Sequence, residues 1–273
     1  MPDIHFDRIV LGDLVTPDRV LERGWIGILG ETIAAVGQGA VPAGAEVLDF
    51  TGRLVLPGLV DGHMHTSSAF GWPGIEHASR SAAAGGVTTL VDMPYDVPQA
   101  VTSAAVLAEK IAVVNETAHV DMALYGTIAK TGGTGAIAGL AEAGVSAFKL
   151  STYEYDAVRF PRIAPSEMTL AFSAIAETGI PVALHNENQE LVEALTAAAK
   201  SAGRTDAIQH ARTRPPLAEN LANVEIFELG LATGAHVHIA HSSLARGFDL
   251  AQSYRGYGMQ ASAEACIQYL CMT

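Results

Sequence analysis

The sequence predicts an α/β protein: an incomplete (β/α)8 barrel of the TIM type, preceded by a short block of β-strands. Three observations carry that prediction. From Pro57 onward, apolar strand-like runs alternate with Ala-rich stretches long enough for about three helical turns. The strand-like runs are apolar on both faces, as strands of a parallel sheet between helix layers are. Seven such runs occur, more than the half of an open sheet ordinarily holds, and a barrel accommodates them.

The elements follow in chain order. Residues 1–56 hold DIHFDRIVLGD, GWIGILGETIAAVG and AEVLDFTGRLVLP, each alternating and bounded by turn residues, and predict a small antiparallel sheet. The barrel strands are GLVDGHMH, VTTLVDM, HVDMALYGTI, GVSAFKLS, IPVALHNE, AHVHIAH and GMQASAEA. Helices are expected over residues 74–85, 102–116, 132–143, 166–178, 187–202, 217–233 and 243–254. The expected organisation is therefore 1–56 as one unit and 57–273 as the barrel. A barrel closes when its last strand pairs with its first, and this sequence stops one strand and two helices short, at CMT.

Composition narrows the function classes. The chain has 273 residues with 16 Lys+Arg against 29 Asp+Glu, a formal charge of −13, which argues against a nucleic-acid partner. Hydrophobic residues make up 49%, enough for a sizeable core. No apolar run reaches the ~18 residues of a membrane span, so no membrane partner is expected. The start, MPDIHFDRIV, lacks the layout of a signal peptide. Two cysteines, Cys266 and Cys271, exclude a disulfide scaffold and make a cytoplasmic location the expectation.

Four places carry chemistry. In Asp61-Gly62-His63-Met64-His65, residues i and i+2 of a strand share a face, so His63 and His65 can enter the barrel mouth together and grip one metal ion. They end the first barrel strand, where barrel active sites lie; two unrelated turn histidines are the alternative. Asp61 shares their parity and could brace them from below. Lys149 sits in Val145-Ser146-Ala147-Phe148-Lys149-Leu150, and points into the barrel if Ser146 and Phe148 meet the helices. A buried ammonium is costly, and a lysine of lowered pKa can react with carbon dioxide to give a carbamate that bridges two cations. A lysine that snorkels to the mouth or pairs with a carboxylate is the alternative, and the one the residues alone favour.

His185 ends the apolar run Pro181-Val182-Ala183-Leu184. In Ala235-His236-Val237-His238-Ile239-Ala240-His241, parity puts His241 on one face with Val237 and Ile239, and His236 and His238 on the other. His241 therefore ranks as the ligand and His238 as structural. Each histidine alone could be a hydrogen-bonded core residue; histidines at three strand ends and a lysine at another are a pattern. His5, His77, His119 and His210 lie off the strand ends, and the charges of KSAGRTDAIQHARTRP read as a solvated helix and loop. No dinucleotide fingerprint, phosphate loop or nucleophile elbow occurs.

These residues carry a resemblance. VLPGLVDGHMHT resembles the start of the amidohydrolase superfamily barrel, and the sequence is similar to its cyclic-amidase branch of hydantoinases, dihydropyrimidinases, allantoinases and dihydroorotases. GWPGIEHASRSAAAGGVTTLVDMP is most similar to allantoinases, and FKL, LHNEN and HIAHSS follow in the family's order. The resemblance spans essentially the whole chain. It implies two divalent metal ions, usually zinc, with His63 and His65 on one, His185 and His241 on the other, and carbamylated Lys149 bridging them. It implies hydrolysis of a cyclic amide or ureide C–N bond by a metal-bridging hydroxide, and a homo-oligomer when the chain is complete. It also implies the C-terminal strands that complete a small β-sandwich with residues 1–56.

The sequence departs from the family in places. The catalytic Asp of the eighth barrel strand is not in the chain, which ends at SAEACIQYLCMT, with Ile267 where the family has Pro. The family's substrate Asn after DMP is Tyr95, and Ser67 stands where dihydroorotases carry an Arg. A hydantoinase-like substrate Tyr is matched out of step by Tyr153, with Tyr155 beside it. The balance favours an allantoin- or hydantoin-like ring. Dihydroorotase or dihydropyrimidinase activity, a non-catalytic paralogue of the same fold, and a split enzyme completed by a second polypeptide are the alternatives.

Overall fold

The computed structural model describes residues 5–271. Asp3 and Ile4 of the first predicted strand, the first residues read for a leader, and the terminal Met272 and Thr273 lie outside the described residues. The chain divides into two compact units, Met1–Leu59 and Val60–Thr273.

The first unit is a four-stranded sheet in the order β3-β2-β1-β4: β1 (Phe6–Val15), β2 (Val20–Leu29), β3 (Thr32–Gln38) and β4 (Gly44–Val55). The hairpins β1–β2 and β2–β3 are antiparallel, as alternation with short turns predicts. The fourth strand corrects the expectation of a purely antiparallel sheet. β4 pairs parallel to β1, with Arg8 opposite Glu46 and Ile9 opposite Val47. The segment after Gln38 carries the chain to the free edge of β1 instead of turning back on β3, and alternation within a strand says nothing about which neighbour it takes.

The second unit is a seven-stranded sheet in the order β11-β10-β9-β8-β7-β6-β5. Its strands are β5 (Leu59–Met64), β6 (Val87–Asp92), β7 (Asp121–Gly126), β8 (Ala147–Ser151), β9 (Val182–His185), β10 (Val237–Ile239) and β11 (Ala261–Ala263). The registers recorded from β6 to β11 are parallel, and the spatial order follows the chain order. This is the strand–helix alternation of an incomplete TIM-type barrel. Its helices are α1 (Pro73–Ala84), α2 (Ala104–Thr117), α3 (Ile137–Glu142), α4 (Pro165–Thr178), α5 (Gln189–Ser201), α6 (Ile208–Arg212), α7 (Pro216–Thr233), α8 (Ala245–Gly256) and α9 (Ile267–Cys271).

Local chemistry marks the helix ends. The Ser103 and Asn188 side chains accept from the N–H groups of Val106 and Leu191, capping α2 and α5. Pro165 and Pro216 open α4 and α7, and left-handed Gly179 and Gly234 close them. The charged segment before Pro215 holds one turn of helix, α6, between the helices expected over 187–202 and 217–233. No helix among the described residues is long and apolar enough to cross a membrane.

The core lies between the sheet and the helices. Phe148 and Leu150 of β8, Val182 and Leu184 of β9, and Val237 and Ile239 of β10 pack there with Phe172 and Phe227. Burying such a side chain stabilises the fold by about 1.5–3 kcal/mol. Alternation then sends the residues between them to the opposite face, and these build the site.

Candidate active site

Register shows which residues share that opposite face. Lys149 stands opposite Ala183, Ala183 opposite His238, and His238 opposite Ser262, a row running across four strands. Ser151 stands opposite His185 one step further along. His236 and His238 thus look the same way as Lys149, toward a cavity of about 300 Å³ that Gly62, Tyr125 and Ala183 also line. This corrects the parity reading. Val237 and Ile239 face the helices, and His241 lies beyond the end of β10, where alternation no longer applies. His241 has φ of 40°, a left-handed conformation that costs a non-Gly residue energy and swings its ring toward the strand ends.

Hydrogen bonds hold that turn in place. The Ala240 N–H donates to Leu184 O at 3.1 Å, and the Ser242 N–H to Glu264 O at 2.7 Å. Glu219 of α7 accepts from the Ser242 hydroxyl at 2.9 Å, the Ser243 N–H at 3.1 Å, and the Ser243 hydroxyl. Two glycines let helices close onto the histidine loops. A Cβ on Gly74 of α1 would lie 2.1 Å from the Thr66 carbonyl oxygen, and one on Gly247 of α8 would lie 2.3 Å from the Ser242 Oγ.

The four histidines then meet in pairs. His63 Nε2 lies 3.4 Å from His65 Nε2, and His185 Nδ1 lies 3.1 Å from His241 Nε2. The pairs adjoin, with the His63 and His241 ring centroids 5.3 Å apart. The far nitrogens are engaged: His63 Nδ1 by Glu264, His65 Nδ1 by Ser68 Oγ at 2.9 Å, and His185 Nε2 by Glu187 Oε1 at 2.7 Å. Burial, with neighbouring positive charge second, pushes His65 down to about 3 and His241 to about 2; burial also lowers His63 and His185. All four are neutral imidazoles at pH 7, the form that binds a cation. Among the described residues, no three or more His, Cys, Asp or Glu side chains gather closely enough to hold an ion by themselves.

Lys149 completes the constellation. It is 1% exposed, its charge acts on all four imidazoles, and its Nζ has no hydrogen-bond partner among the described residues. Burial brings its pKa down to about 7, against the pull of Glu264 and Cys266. Its backbone is fixed instead, since the Thr127 and Tyr95 hydroxyls donate to the Lys149 carbonyl at 2.8 and 3.2 Å. Tyr95 is thereby occupied, with its ring stacked on Phe160.

No family model matches the chain. It is 34% identical to the allantoinase of Rubrobacter xylanophilus over 272 residues, which is 98% of this chain and 59% of that protein. It is 32% identical to the allantoinase of Solibacter usitatus, covering 96% of this chain and 56% of the relative. The solved L-hydantoinase (dihydropyrimidinase) of Arthrobacter aurescens superposes with a TM-score of 0.90 at 29% identity, over 98% of this chain and 60% of that one. Over nearly its whole length the chain is similar to allantoinases in sequence and to hydantoinases in structure, relatives within the cyclic-amidase branch of the amidohydrolase superfamily. It spans less than two thirds of the length of the curated relatives it matches.

Around the four histidines the structure adds residues that sequence reasoning missed. A cavity of about 320 Å³ opens beside His185 and His241, walled by Tyr155, Glu187, His210 and Arg214. Arg214, read as a solvated charge, lies 2.7 Å from Glu187 Oε2 through its Nε and lies over the Tyr153 ring. Tyr153 lines a separate cavity with Arg214, its hydroxyl accepting from Arg214 at 3.4 Å, while Tyr155 packs edge-on against His185 at 5.8 Å. Asp61 accepts the His63 N–H at 3.0 Å. Glu264 and Glu187 each follow a strand end by one or two residues, the same positional signal that singled out the histidines.

Proposed function

We propose that the protein of which this chain is part hydrolyses a C–N bond in a small cyclic amide or ureide, with an allantoin- or hydantoin-like ring, at a centre of two divalent cations. Names of relatives supply the substrate class: allantoinases by sequence and hydantoinases by structure. The observation that carries the reading is the buried Lys149 amine without a partner, amid four neutral imidazoles with paired nitrogens.

This donor set fits the cations. His63 and His65 would hold one through Nε2, and His185 and His241 the other. Two nitrogens apiece underfill a zinc-like ion, so a shared anion is needed. With its pKa near 7, the Lys149 amine is substantially neutral at physiological pH and can add carbon dioxide, releasing one proton and giving a carbamate with oxygens for both ions. Such ions, when bound, acidify water toward neutral pH and polarise a carbonyl.

The chain's own residues do the rest. The cavity beside His185 and His241 receives the ring, and Tyr155 supplies a flat wall. Glu187 keeps the His185 proton on Nε2 and so leaves Nδ1 free to face His241. Tyr153 as a substrate donor requires its hydroxyl to leave Arg214. The free cysteines suit a reducing compartment such as the cytoplasm.

The test incubates the purified chain with Zn²⁺ and bicarbonate. Two zinc equivalents per chain are expected, together with a mass gain of one carbon dioxide lost in Lys149→Met. Slow ring opening of allantoin or hydantoin would then identify the substrate. A folded chain that takes up no divalent cation would sink the proposal.

A further inference from the structure

Glu264 follows β11, one edge of the seven-stranded sheet, and its side chain reaches His63 at the end of β5, the opposite edge. Its Oε1 accepts from His63 Nδ1 and, at 3.3 Å, from the backbone N–H of His241. Its Oε2 lies 3.5 Å from His238 Nε2. The carboxylate is thus shared by the first and last strands and by the turn that delivers His241. Its own backbone is fixed, since the Glu264 N–H donates to Ile239 O at 2.9 Å and its carbonyl accepts from Ser242.

A carboxylate only accepts, so a His63 bonded to it must carry its proton on Nδ1. The Nε2 lone pair is then the one that faces His65 Nε2, 3.4 Å away. We propose that Glu264 is a positioning residue that sets the tautomer and ring direction of His63, and so builds the cation-binding half formed by His63 and His65. The purpose rests on the cation-centre reading above; the tautomer does not. Partners of this kind also raise the basicity of a ligating imidazole, and their loss weakens metal binding about 10- to 100-fold.

The experiment records ¹⁵N correlations of the histidine rings in the metal-free chain, for wild type and Glu264→Gln, followed by titration with Co²⁺ read by its visible absorption. Wild type is expected to hold the His63 proton on Nδ1. Glu264→Gln is expected to move it toward Nε2 and to weaken one of the two cobalt equivalents about 10- to 100-fold, leaving the other unchanged. A wild-type His63 protonated on Nε2 overturns the inference whatever the metal content, as does a folded Glu264→Gln chain that keeps the wild-type tautomer or binds both ions as tightly. Should Glu264→Gln fail to fold, the wild-type tautomer and Glu264→Asp, whose shorter arm breaks the bond but keeps the charge, decide the matter. Wild type with the expected tautomer but no cobalt uptake sinks the cation-centre reading, and the tautomer comparison then judges Glu264 alone.

Discussion

Lys149 is the residue on which the site turns. A buried amine without a partner costs the fold free energy, because water solvates it in the unfolded chain and nothing does so in the native one. Lys149→Met keeps the length and removes the polar group. It should leave stability unchanged or raise it by about 1–3 kcal/mol, read from the urea midpoint of the metal-free chain. The same variant should lose bicarbonate-dependent cation uptake. That pair of results would mark a residue placed for function, whereas a structural lysine would show a stability loss instead. That Lys149 interrupts an apolar strand was legible in the sequence, though the structure places it at the middle of β8 and not at its end. Its lack of any carboxylate partner was not, since that depends on what four other strands bring alongside.

At the scale of elements, the loop that carries His65 is locked from below by charge. Lys110 of α2 is fully buried, with its Nζ 2.6 Å from Asp92 Oδ2 at the end of β6 and 2.8 Å from Asp96 Oδ2. Asp92 also accepts the Thr66 N–H and hydroxyl, both at 2.8 Å, immediately after His65. Helix, strand and loop therefore meet on one ammonium. Lys110→Met leaves two buried carboxylates unpaired, and should cost about 3–5 kcal/mol by chemical denaturation. Thr66→Val, which cuts only the link to the loop, should cost far less. None of this was visible in the sequence. Lys110 falls in an Ala- and Val-rich helix, and only the packing of α2 onto the sheet buries its ammonium completely beside two carboxylates.

For the whole molecule, the buried titratable groups mostly act in one direction with pH. His65 and His241 have native pKa values of about 3 and 2, below the 6.5 of an exposed histidine, chiefly through burial. Below pH 6.5 the unfolded chain takes up protons that the native one refuses, so their contribution is present above 6.5 and lost as pH falls. Glu264 works in the same sense: despite burial, hydrogen bonds from His238 and His63 hold its carboxyl well below the usual range. Asp96, raised mainly by burial, opposes them. The metal-free chain should therefore lose thermal stability steadily from pH 7 to pH 4. A flat profile across that range would mean that the histidines are solvated rather than buried.

The sequence by itself determined the alternation of strands and helices, the incomplete barrel, the positions of His63, His65, His185 and His241 at or just past strand ends, and the presence of Lys149 within an apolar strand. Periodicity and turn chemistry are local, and each of those inferences needs only a few neighbouring residues. Tertiary structure alone decided that β4 runs parallel to β1, that His236 and His238 face inward, and that Glu264, Glu187 and Arg214 belong to the site. These depend on partners far away in the chain and on a left-handed turn at His241 where strand parity stops. The physical reason is range: a side chain's face follows from its immediate neighbours, but its hydrogen-bond partner follows from which strands the fold sets side by side.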